Sequence, residues 1–232
     1  MRLKIGRRKI TIHREGVIGF LLGVLLVGGV YELTTYMTSQ TQPVTTLRYD
    51  SKGVTIAWLP STVSRWSSDI ERAAKEYDVN ANAVAIFMAI ESAGYSKADS
   101  GVARGLMQVT DYTAGDIAQK FLKEPRSEYD LYDPATSIEF GAAYLSYLRK
   151  TFCVDEQVSS NECMELLAAG YNGGPGAANS LYEGDGLEDM ETVGYSRDAR
   201  NMWRERDAAR SPTYTRWLER GGQSLVNAAQ NE

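Results

Sequence analysis

The stretch from Ala83 to Glu91 constrains the fold of this chain more than any other. Eight apolar residues precede the carboxylate, so a helix here is hydrophobic almost all round and needs cover on every side. We therefore predict that it is the buried central helix of a helical domain. Val84, Phe87 and Met88 lie seven, four and three residues before Glu91 and share its helix face.

Glu91 is the first candidate functional residue. A carboxyl group held against apolar neighbours resists ionisation, so the pKa of Glu91 should rise. A carboxylic acid that is still protonated near neutral pH suits general acid catalysis. The ordinary alternative is a Glu at a helix C-terminus that points to water, and the spacing alone does not separate the two interpretations.

The sequence after residue 60 predicts several further helices. Apolar residues repeat at spacings of three and four from Trp66 to Tyr77, Asn80 can cap the central helix, and Asp133 followed by Pro134 can open a long helix. The other predicted elements are a helix at 114–122, a short helix at 163–169, a Gly-rich turn at 171–176 and a helix that starts at Ser211 and Pro212.

The N-terminal residues predict attachment to a membrane. Residues 16–31 carry no charge, and six Lys or Arg residues lie in the preceding 1–15. We predict one transmembrane helix over 16–37 behind a basic cytoplasmic tail, because a span needs about 20 residues and cations stay inside. A cleaved signal peptide is the alternative, although no alanine for an Ala-x-Ala-like site occurs before Ala57. Residues 38–60 are expected to be a linker.

Charge limits the partners of the rest of the chain. Residues 1–16 have a formal charge of +5 and the whole chain has −5, so residues 17–232 carry −10. An acidic body is unsuited to nucleic acid, whereas a neutral glycan is compatible with it. We expect no metal site, because the only histidine is His13 in the basic tail, and no cofactor.

Cys153 and Cys163 are the only cysteines, and they bracket a polar stretch between two predicted helices. Both fall in the part of the chain predicted to face outward, where thiols can oxidise, so we expect a disulfide. It would close a short loop and stabilise the fold by roughly 3 kcal/mol in the chain-entropy description. Two unpaired thiols are the alternative.

Three sequence blocks follow one another in a characteristic order. They are residues 89–92 (Ala-Ile-Glu-Ser) with Gly105-Leu106-Met107-Gln108 and Thr113-Ala114, then Asp133-Pro134 with Ile138, Gly141, Tyr144 and Leu145, then residues 168–176 (Ala-Ala-Gly-Tyr-Asn-Gly-Gly-Pro-Gly). Together they resemble the signature of the soluble lytic transglycosylase family. The resemblance covers residues 84 to about 182, and it departs from the usual pattern at Ser137, where the family has Asn.

The resemblance implies an all-α, lysozyme-like catalytic domain over residues 61–184, followed by a helical C-terminal extension over 185–232. It also implies a membrane-anchored enzyme, a lytic transglycosylase acting on peptidoglycan glycan strands outside the membrane. Glu91 would be the single general acid and base that cleaves the β-1,4 bond between N-acetylmuramic acid and N-acetylglucosamine. The product would carry a 1,6-anhydro-muramic end.

The resemblance implies roles for five other residues. Tyr171 corresponds to a Tyr whose hydroxyl orients the catalytic Glu. Met107 and Gln108 correspond to residues of the substrate cleft, and Ser100 and Asn172 to positions that hold the glycan or the cleft loops. Core packing is the alternative for Met107 and Tyr171, and a loop-bracing hydrogen bond is the alternative for Gln108 and Asn172.

Two other functions remain open on the sequence. A hydrolytic, lysozyme-type muramidase on the same fold would use water in place of the C6 hydroxyl, and most glycosidases use two carboxylates. Asp99 and Asp111 are near Glu91 in sequence, but each has an ordinary loop or helix-cap interpretation. A non-catalytic peptidoglycan-binding or assembly module is the alternative from another class, and no partner in cell-wall or secretion machinery is identified.

Overall fold

Helices dominate the described part of the chain. The structure is a computed structural model that describes residues 3–5, 8–10, 47–155 and 158–232. Its nine described α-helices are α1 (Ser61–Ser64), α2 (Ser67–Tyr77), α3 (Ala81–Glu91), α4 (Asp111–Asp116), α5 (Pro134–Phe152), α6 (Ser160–Glu183), α7 (Met190–Arg204), α8 (Pro212–Trp217) and α9 (Gln223–Gln230). Two π-helical turns, Ile117–Phe121 and Leu218–Gly222, continue α4 and α8.

The described fold is mostly helical, as predicted, and it also contains two short antiparallel strand pairs. Strand β1 (Leu3–Ile5) pairs with β2 (Arg8–Ile10) within the predicted basic tail. Strand β3 (Ala103–Arg104) pairs with β4 (Val109–Thr110) in the loop region that follows α3. The second pair forms because Gly105 and Gln108 both adopt positive φ, which lets the chain reverse between the strands.

The predicted membrane anchor, residues 16–37, lies outside the described residues, as do residues 38–46 of the predicted linker. Among the helices that the structure describes, none combines the length and the apolar character that crossing a membrane requires.

Helix α3 lies at the centre of the described fold, as its apolar sequence predicts. All of its residues from Ala81 to Ala89 are buried, and only Ile90 and Glu91 in the last turn retain some exposure. Asn80 caps the helix, because its side-chain oxygen accepts a hydrogen bond from the backbone N–H of Asn82 at 3.0 Å. Helices α2, α5 and α7 pack against α3, so Glu91 is carried at the end of a covered helix.

The described part of the predicted linker packs against the N-terminal end of α3. Leu47 is only 1% exposed, and its carbonyl oxygen accepts a hydrogen bond from the N–H of Asn80 at 2.7 Å. The side-chain oxygen of Asn82 accepts a second bond from the N–H of Thr55 at 2.8 Å. Residues from Leu47 onward are therefore part of the packed domain.

Helix α6 carries the third sequence block and differs from the predicted Gly-rich turn. The chain is helical from Ser160 to Glu183, and only Gly174 leaves helical geometry, with φ 80° and ψ 170°. The predicted turn is therefore a kink inside a long helix. Glycine adopts this positive φ without steric cost, and Pro175 fits the first turn of the second half because it needs no N–H partner there.

Cys153 and Cys163 form the disulfide that the sequence predicts. The bond joins the residue after α5 to the first turn of α6, with 5.5 Å between the two Cα atoms. Since the chain has no other cysteine, no free thiol remains. The disulfide therefore holds together the ends of two helices that carry the second and third sequence blocks.

Candidate active site

Glu91 is half-buried at the end of α3, with aromatic residues around its carboxyl group. The hydroxyl of Tyr195, from α7, donates a hydrogen bond to Oε1 of Glu91. The ring centroid of Phe87, one turn earlier in α3, lies 5.0 Å from that of Tyr171 and 6.2 Å from that of Tyr195. Among the described residues, no Lys or Arg forms an ion pair with this carboxyl group.

These surroundings favour the protonated form of Glu91. Its pKa is raised from the ordinary 4.5 to about 7, chiefly because burial disfavours the charged carboxylate. The hydrogen bond from Tyr195 lowers the pKa, since the hydroxyl stabilises the carboxylate, and the negative charge of Glu191 raises it. Burial outweighs the hydrogen bond, so Glu91 keeps its proton to a higher pH than an ordinary carboxyl group does.

The loop that follows α3 is fixed close to Glu91 by its own hydrogen bonds. Ser92, the residue after the helix, donates a hydrogen bond from Oγ to the carbonyl oxygen of Leu106 at 2.7 Å. Gly105 has φ 75°, and a Cβ at this position would lie 1.9 Å from the carbonyl oxygen of Leu131. Glycine is therefore required where the loop passes the segment before α5.

Met107 and Tyr171 connect this loop to α5 and α6. The N–H of the buried Met107 donates to Oγ of Ser137 at 3.1 Å, and the Tyr171 hydroxyl donates to the Met107 carbonyl oxygen at 2.7 Å. In this structure the Tyr171 hydroxyl bonds to the loop and not to Glu91, whose hydrogen bond comes from Tyr195, and the orienting role of Tyr171 stays a prediction. Tyr171 still lies near Glu91, since burial and then the charge of Glu91 raise the pKa of its hydroxyl.

Gln108 and Ser100 have hydrogen-bond partners within the loop. Nε2 of Gln108 donates to the carbonyl oxygens of Ala98 at 3.0 Å and Gly105 at 3.1 Å. Oγ of Ser100 accepts a bond from the N–H of Ala103 at 3.1 Å. The structure thus gives both side chains a loop-bracing role, and their contact with a substrate stays a prediction.

Asn172 borders a cavity of about 520 Å³ between α6 and α7. Its Oδ1 accepts a hydrogen bond from the hydroxyl of Thr192 at 2.8 Å, which joins the two helices. Glu191 also lines this cavity, and its charge is the one that raises the pKa of Glu91. The cavity therefore lies within electrostatic reach of Glu91.

Asp99 and Asp111, the acids nearest to Glu91 in the loop sequence, have structural partners. Asp99 accepts hydrogen bonds from the N–H of Gly101 at 2.7 Å and from the hydroxyl of Tyr132 at 2.5 Å. Asp111 forms an ion pair with Arg104 across the β3–β4 pair. In the described residues, no group of three or more His, Cys, Asp or Glu side chains is arranged to hold a metal ion.

Comparison with known proteins identifies the family of this chain. The profile of the family described as Transglycosylase SLT domain matches residues 68–190, which is more than half of the chain. The chain belongs to this family. The matched SLT domain contains Glu91, the loop after α3 and Tyr171, and it ends at the first residue of α7.

Curated relatives match part of the chain. Membrane-bound lytic murein transglycosylase C of Yersinia enterocolitica is 34% identical over 120 residues, covering 50% of this chain and 33% of that protein. The protein of the same name from Photorhabdus laumondii is 33% identical over 123 residues, with the same coverage. Membrane-bound lytic murein transglycosylase E of Buchnera aphidicola is 35% identical over 98 residues, covering 40% of this chain and 44% of that protein. The chain therefore spans only about a third to under half of the length of these relatives.

Two residues near the Glu91 carboxyl group, Tyr195 and Glu191, lie beyond the three sequence blocks. Because the predicted catalytic domain ends at residue 184, it contains neither of them. A local signal was present, because Asp189 can cap a helix there, and in the structure its Oδ2 accepts the N–H of Thr192 at 2.7 Å. The helix was predictable, but its packing against α3 was not.

Proposed function

We propose that this SLT domain is a lytic transglycosylase that cleaves peptidoglycan glycan strands outside the cytoplasmic membrane. The observation that carries the proposal is the state of Glu91, a carboxyl group with a pKa raised to about 7 and one tyrosine hydroxyl as its hydrogen-bond partner. Such a group can give and take a proton near neutral pH, as the reaction requires. The names of the relatives, lytic murein transglycosylases C and E, support the same activity.

In the proposed reaction, Glu91 acts first as an acid and then as a base. Its proton goes to the oxygen of the β-1,4 bond between N-acetylmuramic acid and N-acetylglucosamine as the bond from C1 to that oxygen breaks. The Glu91 carboxylate then takes the proton of the muramic C6 hydroxyl, and that oxygen bonds to C1. The muramic sugar becomes a 1,6-anhydro end, no water is consumed, and Glu91 is protonated again.

We further propose that Tyr195 and Tyr171 are positioning residues for this reaction. Tyr195 holds Oε1 of Glu91 and favours the carboxylate that forms between the two proton transfers. Tyr171 acts through the Met107 carbonyl oxygen, which fixes the loop beside the helix end. The residues proposed to form the glycan cleft are Ser100, Met107, Gln108 and Asn172.

A hydrolytic muramidase is the second candidate, and the position of Glu191 favours it. Glycosidases with two carboxylates use one as the proton donor and the other to activate water or to attack the sugar. The charge of Glu191 raises the pKa of Glu91, and its side chain is exposed at the edge of the 520 Å³ cavity. Water activated by Glu191 would attack C1 and leave a reducing end.

Product analysis separates these candidates. Purified peptidoglycan is digested with the full-length protein, and the released muropeptides are identified by mass spectrometry. Anhydro ends without new reducing ends support the transglycosylase, whereas mainly reducing ends support the muramidase. Glu191→Gln sharpens the test, because the transglycosylase should retain its activity and the muramidase should lose it. If neither the wild-type protein nor Glu91→Gln releases muropeptides, the domain is a non-catalytic binding module.

We also propose that residues 16–37 anchor the protein, with residues 1–15 in the cytoplasm and the SLT domain outside. The uncharged run, its basic flank and the membrane-bound relatives support this topology. The full-length protein should then sediment with membranes and resist salt extraction, and protease added outside should remove the domain. A mature N-terminus between about residues 28 and 45 would instead indicate a removed signal peptide.

A further inference from the structure

Aromatic rings form a continuous path from the surroundings of Glu91 to the surface of α5. The ring centroids of Tyr171 and Tyr144 are 5.5 Å apart, and those of Tyr144 and Phe121 are 6.2 Å apart. Phe121 stacks on Tyr147, with 4.2 Å between centroids and 14° between ring planes. Tyr144 is buried, whereas Phe121 and Tyr147 are half-buried, so the outer pair is the part of this path that reaches the surface.

Polar groups border this aromatic pair. Asp116 and Lys120 form an exposed ion pair at 2.7 Å. Tyr112 is 85% exposed. The pKa of Lys120 is raised by Asp116 first, and Tyr112 and Tyr147 also contribute, so both phenol groups lie near this ammonium group.

We propose that Phe121 and Tyr147 form a platform that binds an N-acetylated sugar of the same glycan strand whose bond lies at Glu91. The inference rests on the proposed function and names a binding surface for its substrate. A pyranose ring has an apolar C–H face and a rim of hydroxyl and amide groups. It therefore matches aromatic faces that are bordered by Asp116 and Lys120, a combination that is common in ligand sites.

The position and charge of the platform favour a glycan. Phe121 is two ring contacts away from Tyr171, through the buried Tyr144, so the platform lies within the length of a few sugar units of the site at Glu91. Asp116 and Lys120 neutralise each other, which favours an uncharged ligand over an ion. Both rings pack against the core but keep part of their surface accessible, beside Tyr112, which is 85% exposed.

Binding of a β-1,4-linked N-acetylglucosamine hexamer tests the platform. The full-length protein carrying Glu91→Gln is titrated with the hexamer by isothermal titration calorimetry, so that cleavage does not intervene. Phe121→Leu keeps apolar volume without the ring, and Tyr147→Ala removes the outer ring. Each should raise Kd about tenfold, which corresponds to about 1.4 kcal/mol. Tyr147→Phe retains the ring and should bind like the parent protein.

Trp217→Ala is the matched control, because Trp217 belongs to another stacked pair, with Tyr214, outside the ring path. Trp217→Ala should leave the affinity for the hexamer unchanged. If it weakened binding as much as Phe121→Leu and Tyr147→Ala do, all three losses would reflect general destabilisation, and the platform would be overturned. If Phe121→Leu and Tyr147→Ala bind the hexamer within about twofold of the parent affinity, the platform is overturned. The proposed function is unaffected in that case, because the parent protein still binds the hexamer. A Glu91→Gln parent that does not bind the hexamer would overturn the platform as well, and product analysis of the wild-type protein then decides the function independently.

Discussion

Two half-buried carboxyl groups on packed helices, Glu91 at the end of α3 and Glu139 in α5, differ in one partner. Each accepts a hydrogen bond from a tyrosine hydroxyl, Glu91 from Tyr195 and Glu139 from Tyr77 at 2.9 Å. Glu139 also pairs with Arg126 at 2.6 Å. Glu91 has no such cation among the described residues.

The difference shows what keeps Glu91 able to hold a proton. An opposite charge at ion-pair distance favours the ionised form of a carboxyl group and offsets the cost of its burial. A tyrosine hydroxyl offsets only part of that cost, so burial dominates and the pKa of Glu91 stays near 7. The same side chain is therefore part of a structural ion pair in α5 and a candidate proton donor in α3.

Removing the acidic proton of Glu91 should have the largest effect on activity. Glu91→Gln keeps the shape of the side chain but lacks the acidic proton, so muropeptide release should fall at least about 100-fold. The matched variant Glu139→Gln should retain activity within about threefold, since only the structural pair is changed. Chromatography of the released muropeptides measures the activity of both variants. If Glu91→Gln retains more than about a tenth of wild-type turnover, another residue is the general acid.

Glu91→Gln and Glu139→Gln should change the stability of the fold in opposite directions at pH 8. Because the folded pKa of Glu91 is about 7 and its ordinary value is 4.5, ionisation destabilises the fold progressively between these pH values and fully above 7. Glu91→Gln should therefore stabilise the fold by ~1–2 kcal/mol at pH 8 and should have no effect near pH 4. The gain is smaller than the free energy that corresponds to the full pKa difference, because the carboxyl group keeps some contact with water. Glu139→Gln leaves Arg126 without its ion-pair partner, so this variant should destabilise the fold by ~1–2 kcal/mol. Urea unfolding measures both, and a Glu91→Gln gain that is equal at both pH values contradicts the raised pKa.

Removing the tyrosine partner should have a smaller effect. Tyr195→Phe deletes the hydrogen bond that lowers the pKa of Glu91, so this pKa should rise and the alkaline limb of the activity profile should move to higher pH. The turnover number kcat should fall about tenfold, because Glu91 loses its orienting partner. Tyr77→Phe, which deletes the equivalent bond to Glu139, should leave the profile in place. If kcat falls but the alkaline limb of the activity profile does not move, the role of Tyr195 is limited to packing.

The smallest effect should come from a charge that does not touch Glu91. Glu191→Gln removes a negative charge that raises the pKa of Glu91, so the alkaline limb should move to lower pH. Glu183→Gln, at an exposed carboxylate at the end of α6, is the control and should not move it. A pH profile of kcat measures the shift, and identical profiles for both variants would remove Glu191 from the electrostatics of the site.

The sequence predicted the features that depend on neighbouring residues in the chain. Apolar composition and spacing predicted α3 and the raised pKa of Glu91, and Asn80 was recognised as its cap. The Cys153–Cys163 bond was predictable because the two residues bracket one short connection between helices. Each of these features follows from local periodicity, capping or loop length.

The partners around Glu91 depend on packing between distant segments and were not predictable in this way. Tyr171 and Tyr195 both lie near the carboxyl group, and only the placement of α7 against α3 gives the hydrogen bond to Tyr195. Gln108 adopts φ 45°, which is uncommon for a residue other than glycine, and its side chain turns back to the loop. The kink at Gly174 was likewise not distinguishable from a turn, because both use glycine at positive φ.

The packing of Leu47 limits how far the domain can reach from a membrane. If residues 16–37 span the bilayer as proposed, only residues 38–46 lie between the span and the packed chain. These nine residues extend to at most about 30 Å. Glycan strands near the membrane surface would then be accessible to Glu91, whereas more distant strands would not, so depth within the wall would select the substrate.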